Sequence, residues 1–119
     1  MTTDTACSIH PYFQINPGRL EAFRAVCQRF VERTKPEPGC LFYGFSFDGE
    51  VAHCREAYKN AQALLAHLAN VDDLIQDALK LATLTRVEVH GPAGELDQLR
   101  GPLADLNPQF FDLQYGFRK

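Results

Sequence analysis

The middle of the chain contains the pattern that most constrains its fold, a β-hairpin with a helical segment on either side. Residues 40–58 read CLFYGFSFDGEVAHCREAY, two apolar runs joined through Asp48-Gly49. An Asp-Gly pair favours a two-residue turn of type I′, so the two runs are predicted to pair as antiparallel strands, with Phe47 opposite Glu50. That turn would fix the register of the whole hairpin.

Alternation along the hairpin divides its side chains between two faces. One face carries Leu41, Tyr43, Phe45, Ala52, Cys54, Glu56 and Tyr58. The other carries Phe42, Ser46, Val51, His53 and Arg55. Neither face is plainly polar, so the pattern indicates that both faces of this part of the sheet are covered.

A strand and a helix precede the hairpin, and helices and a strand follow it. Residues 7–15 alternate as a strand does, and NPGRLEAFRAVCQRFVERTK has apolar residues at helical spacing behind a predicted N-cap at Asn16. Asn60 is placed to cap a second helix, and residues 81–91, LATLTRVEVHG, read as a β-branched strand. This order predicts an α+β fold with the ferredoxin-like split βαβ arrangement and an antiparallel sheet.

The last part of the chain adds a short helix and a further strand. A helix is predicted around residues 95–99, then a Gly101-Pro102 break, then a strand at residues 111–117 in which apolar side chains alternate with polar ones. We therefore expect a single domain over residues 1–119, with a core of about residues 7–91 and a C-terminal extension of about residues 92–119.

The predicted sheet has helices on one face only. Nine phenylalanines must be distributed over a small two-layer protein, so the open face is expected to be apolar and to need a partner. The simplest partner is a second copy related by a two-fold axis, that is, a homodimer through the open sheet face. Pro11 lies in the central strand and predicts a bulge there, because proline cannot donate to the ladder.

Composition excludes several classes of partner. The net charge is −3 with acidic and basic residues intermixed, so nucleic acid is not an expected partner. No apolar stretch approaches the roughly 20 residues needed to span a bilayer, so no membrane association is expected. Residues 1–6 lack the basic start and apolar run of a signal peptide.

The cysteines do not form a recognisable metal motif. Cys7, Cys27, Cys40 and Cys54 stand alone, without a C-x-x-C pair, and are interpreted as free thiols of a cytoplasmic protein. A metal ion could in principle be bound by Cys7, His10, His53 and Cys54, but cysteine is also among the residue types most often buried in a core. No metal is predicted.

His67 is the candidate for chemistry, since it falls at the margin of the apolar stripe of its helix. It could be a half-buried histidine bonded to a backbone carbonyl, or it could point into a cleft between helix and sheet. Tyr58, at the end of the preceding strand, favours the cleft. His53 and Arg55 share the other face of that strand, which predicts either a polar dimer interface or the rim of a pocket.

These elements together resemble the antibiotic biosynthesis monooxygenase (ABM) family of dimeric α+β barrels, over about residues 7–90. The most specific part of the resemblance is an acid, an aromatic residue two positions on, and then leucine and histidine in the next helix: Glu56, Tyr58, Leu64 and His67. The continuation to residue 119 looks like a variant with an added C-terminal strand.

The resemblance implies a homodimer in which each subunit holds an apolar pocket between sheet and helices. It also implies oxygenation of a phenol or quinol without metal, flavin or any other cofactor, with His67 as the base and Tyr58 orienting the substrate. The candidate substrate-binding residues are Tyr43, His53, Arg55, Glu56 and Leu64. The chain lacks the tryptophan frequent in the family. It also has His10 and Pro11 where haem-degrading relatives have asparagine, so haem degradation is not expected.

The sequence is therefore consistent with three functions. The first is a cofactor-independent monooxygenase of a small aromatic phenol or quinol. The second is a dimeric small-molecule-binding or stress-related module without catalysis. The third is an isomerase of a small carbonyl compound, in which His67 shuttles a proton and no oxygen is consumed.

Overall fold

The computed structural model describes residues 4–119. Residues 1–3, the beginning of the segment compared with a signal peptide, lie outside the described residues. The strands are β1 (Cys7–Ile15), β2 (Cys40–Asp48), β3 (Val51–Tyr58), β4 (Ala82–Gly91) and β5 (Gln109–Asp112). The helices are α1 (Leu20–Thr34), α2 (Ala61–Asn70), α3 (Asp72–Leu79) and α4 (Ala93–Leu99), and a single turn of 3-10 helix spans Ala104–Leu106.

The strands form one sheet in the order β2-β3-β1-β4-β5. The first four strands pair antiparallel, with β1 in the centre between β3 and β4, which confirms the predicted split βαβ arrangement. β5 pairs parallel with β4, so the complete sheet is mixed. A parallel neighbour requires a crossover connection, and α4 supplies it.

The predicted C-terminal strand is shorter than the sequence pattern suggested. β5 ends at Asp112, which pairs with Gly91, the last residue of β4. Beyond Gly91 the chain enters α4 through Pro92, so later residues have no strand alongside them. Tyr115 and Phe117 consequently lie outside the sheet and are highly exposed.

The predicted turn of the central hairpin was wrong by one position. Asp48 pairs with Val51 and Phe47 with Ala52, so the two-residue loop is Gly49-Glu50. Gly49 has φ 58°, and Glu50 is not among the residues with positive φ. That combination suits a type II′ turn, which needs glycine at its first central position. The shift moves every cross-strand partner but leaves the paired side chains from Phe42 onward on their predicted faces. Leu41 is the exception, because a bulge between Cys40 and Phe42 interrupts the alternation there.

The bulge expected near Pro11 is present one residue further along β1. The register with β4 shifts between Tyr12 and Phe13, where Thr85 is the extra residue on β4. The hydroxyl of Thr85 donates to the carbonyl of Tyr12 at 3.2 Å. The strand irregularity therefore lies in the middle of the sheet, beneath the helices.

The predicted start of the first helix was wrong, whereas that of the second was right. α1 begins at Leu20 and not at Pro17, because Gly18 adopts φ 78° in a turn that the Arg19 N–H closes by donating to the carbonyl of Asn16. In contrast, the side chain of Asn60 accepts a hydrogen bond from the Ala63 N–H at 2.8 Å and caps α2 as predicted.

The core lies between the helices and one face of the sheet, in two apolar clusters. One cluster joins β1 and β3 to α1 and α3, and the other joins β1, β3 and β4 to α2 and α4. Six of the phenylalanines pack on this side: Phe13, Phe23, Phe30, Phe45, Phe47 and Phe110.

The open face is less apolar than predicted. It presents Ser8, His10, Tyr12, Gln14, His53, Arg55 and Glu88 beside Phe42 and Val51. The reason is the period of two, because three of the four aromatic residues of β2, Tyr43, Phe45 and Phe47, fall on the same face as the buried side chains of β3. Within residues 4–119, no helix has the length and hydropathy required to cross a bilayer.

Candidate functional site

A cavity of about 80 Å³ lies where the two core clusters meet, between the sheet and helices α2 and α3. Apolar side chains of β1, β4, α1, α2 and α3 form most of its wall. The polar groups in its lining are Tyr43, Glu56 and His67. An apolar chamber with a few converging polar groups is the usual form of a small-molecule site.

His67 reaches the cavity from the second turn of α2, where its side chain is only 2% exposed. The imidazole lies between two carboxyl groups. Its Nδ1 atom is 2.9 Å from Oε2 of Glu37, and its Nε2 atom is 3.3 Å from Oε1 of Glu56. Both ring nitrogens therefore face an acidic side chain, which favours transfer of a proton through the ring.

Glu56 and Tyr58 project from β3 on the same face, because they are two residues apart. The Tyr58 hydroxyl donates a hydrogen bond to Oε1 of Glu56 at 2.6 Å, and both residues are buried. The Tyr58 ring also packs against the imidazole of His67, with ring centroids 4.9 Å apart. Tyr43 on β2 lies against the imidazole from another side, at 5.3 Å.

Burial shifts the pKa values of the acid and the base in opposite directions. Burial raises the pKa of Glu56 to about 7, although hydrogen bonds from Tyr58 and Cys54 oppose the shift. Burial lowers the pKa of His67, and the neighbouring Glu37 carboxylate opposes that shift. A carboxyl group with a pKa of about 7 can donate or accept a proton near neutral pH.

The two phenols beside this pair stay protonated. Burial, followed by the charge of Glu56, raises the pKa of Tyr58 and of Tyr43 well above the ordinary value. Both hydroxyls therefore remain hydrogen-bond donors near neutral pH.

Two polar residues of the site were not predicted from the sequence. Glu37 comes from the loop between α1 and β2, and Asn70 is the last residue of α2; the Asn70 side chain donates to Oε2 of Glu37 at 2.8 Å. The only sequence signal for Glu37 is its position between two prolines in KPEPG, which fixes the loop but does not indicate what it touches.

The structure brings together four of the predicted site residues. His67 contacts Tyr43, Glu56 and Tyr58. Tyr43, Glu56 and His67 line the cavity, whereas Tyr58 is not part of its lining, so the substrate-orienting role predicted for Tyr58 does not fit this geometry. Leu64 is fully buried one turn before His67, but it packs in the core and does not line the cavity.

His53 and Arg55 lie on the opposite face of the sheet from the cavity. They alternate along β3 with Cys54 and Glu56, which point toward the helices. The prediction that His53 and Arg55 bind the same ligand as Glu56 does not fit this geometry, because the sheet separates them from the cavity.

Three histidines form a cluster on that open face. The rings of His10 and His53 are stacked with centroids 5.8 Å apart, and His90 meets His10 edge to face at 4.8 Å. Tyr12 lies against His53 at 4.6 Å. Cys7 and Cys54, the thiols considered as co-ligands of His10 and His53, are buried on the helix side. No group of side chains suited to a metal ion occurs among residues 4–119.

Comparison with known proteins agrees with the resemblance seen in the sequence. Residues 8–73 match the family model described as antibiotic biosynthesis monooxygenase. The crystal structure of MupZ from Pseudomonas fluorescens is 52% identical, with a TM-score of 0.95, and the match covers 100% of this chain and 93% of MupZ.

More distant structures share the fold. Rv0793 from Mycobacterium tuberculosis is 25% identical with a TM-score of 0.67, over 74% of this chain and 95% of that one. A conserved protein from Methanosarcina mazei is 20% identical with a TM-score of 0.68, over 72% of this chain and 91% of that one.

No curated protein matches the chain. The family model nevertheless spans more than half of the chain, and MupZ matches it along its full length. The chain belongs to the antibiotic biosynthesis monooxygenase family.

Proposed function

We propose that this protein is a small-molecule enzyme in which Glu56 and His67 transfer a proton to or from an apolar substrate held in the cavity. The observation that carries the proposal is the 3.3 Å contact between Nε2 of His67 and Oε1 of Glu56 inside an apolar chamber. In such a chamber an acid–base pair acts without competition from water.

The neighbouring residues have roles that follow from their contacts. The Tyr58 hydroxyl donates to Glu56 and so favours its carboxylate form, the form that can accept a proton from substrate. Tyr43 supplies an aromatic wall to the cavity, and its hydroxyl stays protonated. Tyr58 is thus proposed to tune the acid, and Tyr43 to orient the substrate.

The reaction that we place first is oxygenation of a phenol or quinol. Once deprotonated, such a ring is electron-rich enough to reduce dioxygen itself. Oxygenation of a quinol to a hydroxyquinone puts one oxygen atom on the ring and releases the other as water. The quinol loses four electrons, so no separate reductant or cofactor is needed. The protein must then bind the ring, remove a proton and exclude water.

The cavity limits the size of the substrate. Its volume of about 80 Å³ is well below the roughly 300–1,000 Å³ of sites that hold drug-sized ligands. A single ring is therefore a better candidate than a polycyclic anthrone, which would have to displace side chains such as Leu68 or Leu79 on the wall.

Isomerisation of a small carbonyl compound is the second candidate. The same Glu56–His67 pair could remove a proton beside the carbonyl and return it to a different carbon, with no oxygen consumed. The third candidate is a binding module without catalysis, for which the apolar cavity alone would suffice.

We also propose that the protein forms a homodimer through the open sheet face. That face combines the stacked histidines with two exposed apolar residues, Phe42 and Val51. A mixed apolar and aromatic patch of this kind suits an isologous contact with a second copy.

Oxygen uptake with a panel of single-ring hydroquinones and with anthrone tests the leading function. Wild type should consume oxygen with at least one single-ring quinol. His67→Ala should lose roughly 10²–10⁴-fold in rate, the usual contribution of a general base. His90→Ala, a histidine on the open face, serves as the matched control and should keep the wild-type rate.

The alternatives give different results. Proton exchange at a carbonyl substrate without oxygen uptake selects the isomerase, and saturable binding without turnover selects the binding module. Equal oxygen uptake by wild type and His67→Ala contradicts the proposed role of the imidazole.

A further inference from the structure

We infer that Glu37 is a positioning residue that fixes His67 in the Nδ1–H tautomer and so directs Nε2 at Glu56. Asn70 holds Glu37 in the required place. The catalytic consequence of this arrangement rests on the proposed function, whereas the tautomer itself does not.

The tautomer follows from the contacts of the ring. Both oxygens of Glu37 approach Nδ1, at 3.1 and 2.9 Å. An ionised carboxylate can only accept hydrogen bonds, so the proton of the neutral imidazole lies on Nδ1. The Nε2 atom then faces Oε1 of Glu56 with a lone pair.

One proton is consequently shared between Nε2 and Glu56. It can reside on Glu56, which then donates to the neutral imidazole, or on Nε2, which leaves an imidazolium between two carboxylates. These two states differ by movement of a single proton over the 3.3 Å contact. Glu37 stabilises the second state, because its negative charge favours a protonated ring.

The position of Glu37 is determined by contacts on both sides of its loop. Asn70 donates to Oε2 of Glu37 and to the carbonyl of Arg33, which ties the loop to the end of α2. Gly39 packs so closely on α2 that an added Cβ would lie 2.6 Å from the Cβ of Ala63. The loop therefore presents Glu37 to His67 as a fixed partner.

The surroundings of Glu37 differ from those of Glu56. The Glu37 side chain is 14% exposed and borders a surface depression that also contains Lys59 and Asn60. Glu56 is 5% exposed and faces the cavity. His67 thus connects a carboxylate near solvent to a carboxylate at the substrate chamber, which suits the orienting role of one and the reacting role of the other.

Nitrogen-15 NMR of His67 tests the inference on the free protein. In wild type we expect the long-range ¹H–¹⁵N pattern of the Nδ1–H tautomer in the neutral ring, a result that requires no variant and no substrate. An Nε2–H tautomer would overturn the inference. Assignment uses the loss of the signals in His67→Gln.

Titration of the same signals tests the charge of Glu37. In Glu37→Gln the pKa of His67 should fall below that of wild type, because the carboxylate that supports the protonated ring is gone. Glu37→Asp should restore part of the difference. Glu32→Gln, an exposed acid of α1, should leave the titration unchanged. An unchanged pKa in Glu37→Gln would contradict the inference.

Kinetics separate this inference from the proposed function. With a substrate in hand, Glu37→Gln should move the pH profile of kcat in the same direction as the pKa of His67 and leave KM within about twofold of wild type. If wild type turns over none of the candidate substrates but shows the Nδ1–H tautomer, the proposed function fails and the positioning role of Glu37 stands.

Discussion

Nε2 of His67 lies 3.3 Å from Oε1 of Glu56, and the side chains of both residues are at least 95% buried. Burying a histidine and an acid side by side destabilises a fold unless both groups are hydrogen-bonded. Here Tyr58 supports the acid and Glu37 supports the base, so the cost is met by a network that reaches from the cavity to the surface.

Glu56→Gln should change the dependence of stability on pH. The pKa of Glu56 is raised to about 7 by burial, so the native protein holds this proton while the unfolded chain loses it above pH 4.5. Relative to Glu56→Gln, wild type should therefore lose roughly 3 kcal/mol of unfolding free energy as pH rises from 4.5 through 7. Urea unfolding across this range measures the difference, and Glu32→Gln is the control. A pH-independent difference would contradict the raised pKa.

Tyr58→Phe should raise the pKa of Glu56 further. The Tyr58 hydroxyl donates to the Glu56 carboxylate and lowers its pKa, so removing the hydroxyl favours the protonated acid. The rising limb of the pH–rate profile should move to higher pH, with little change in fold. Tyr12→Phe, on the open face, should leave the profile in place. A shift toward lower pH in Tyr58→Phe would be inconsistent with this hydrogen bond.

Gly39→Ala should lower both stability and activity by moving the loop that carries Glu37. The added methyl group would meet Ala63 at 2.6 Å and force the Glu37 loop away from α2, at a cost of about 1–3 kcal/mol. Thermal unfolding and activity should both fall. Adding Ala63→Gly should recover part of the activity, since that contact is removed. Gly94→Ala, where nothing lies within 4 Å, should be tolerated.

Val51→Glu should weaken a dimer formed through the open sheet face. Val51 on β3 and Val31 on α1 are each 41% exposed, so they form a matched pair on opposite sides of the molecule. Sedimentation should show dissociation for Val51→Glu and a dimer for Val31→Glu, because a charge facing its own symmetry mate is repelled. Equal behaviour of the two variants would place the interface elsewhere.

Much of the fold could be predicted because local patterns and long-range pairing agree. The hairpin, the cap at Asn60 and the order of elements all follow from spacing and turn residues. The errors arose where two local signals compete. Gly49 was predicted as the second turn residue but is the first, and Gly18 delays a helix that Asn16 and Pro17 seemed to begin.

The site was only partly predictable for a related reason. Tyr43, Glu56 and Tyr58 lie on one face of the hairpin by simple periodicity, and the same alternation already placed His53 and Arg55 on the other. Glu37 is different, because its contact with His67 joins a loop to a helix 30 residues away. Nothing in the local sequence encodes that approach; it depends on the packing of Gly39 against Ala63.

The most direct test of the acid–base pair is an infrared pH titration of the Glu56 carboxyl group, taken as the difference between wild type and Glu56→Gln. The carbonyl band of a protonated, buried acid should be present at pH 5 and disappear with a midpoint near pH 7. A midpoint near the ordinary value of 4.5 would show that the carboxyl group is solvated and would contradict the proposed site.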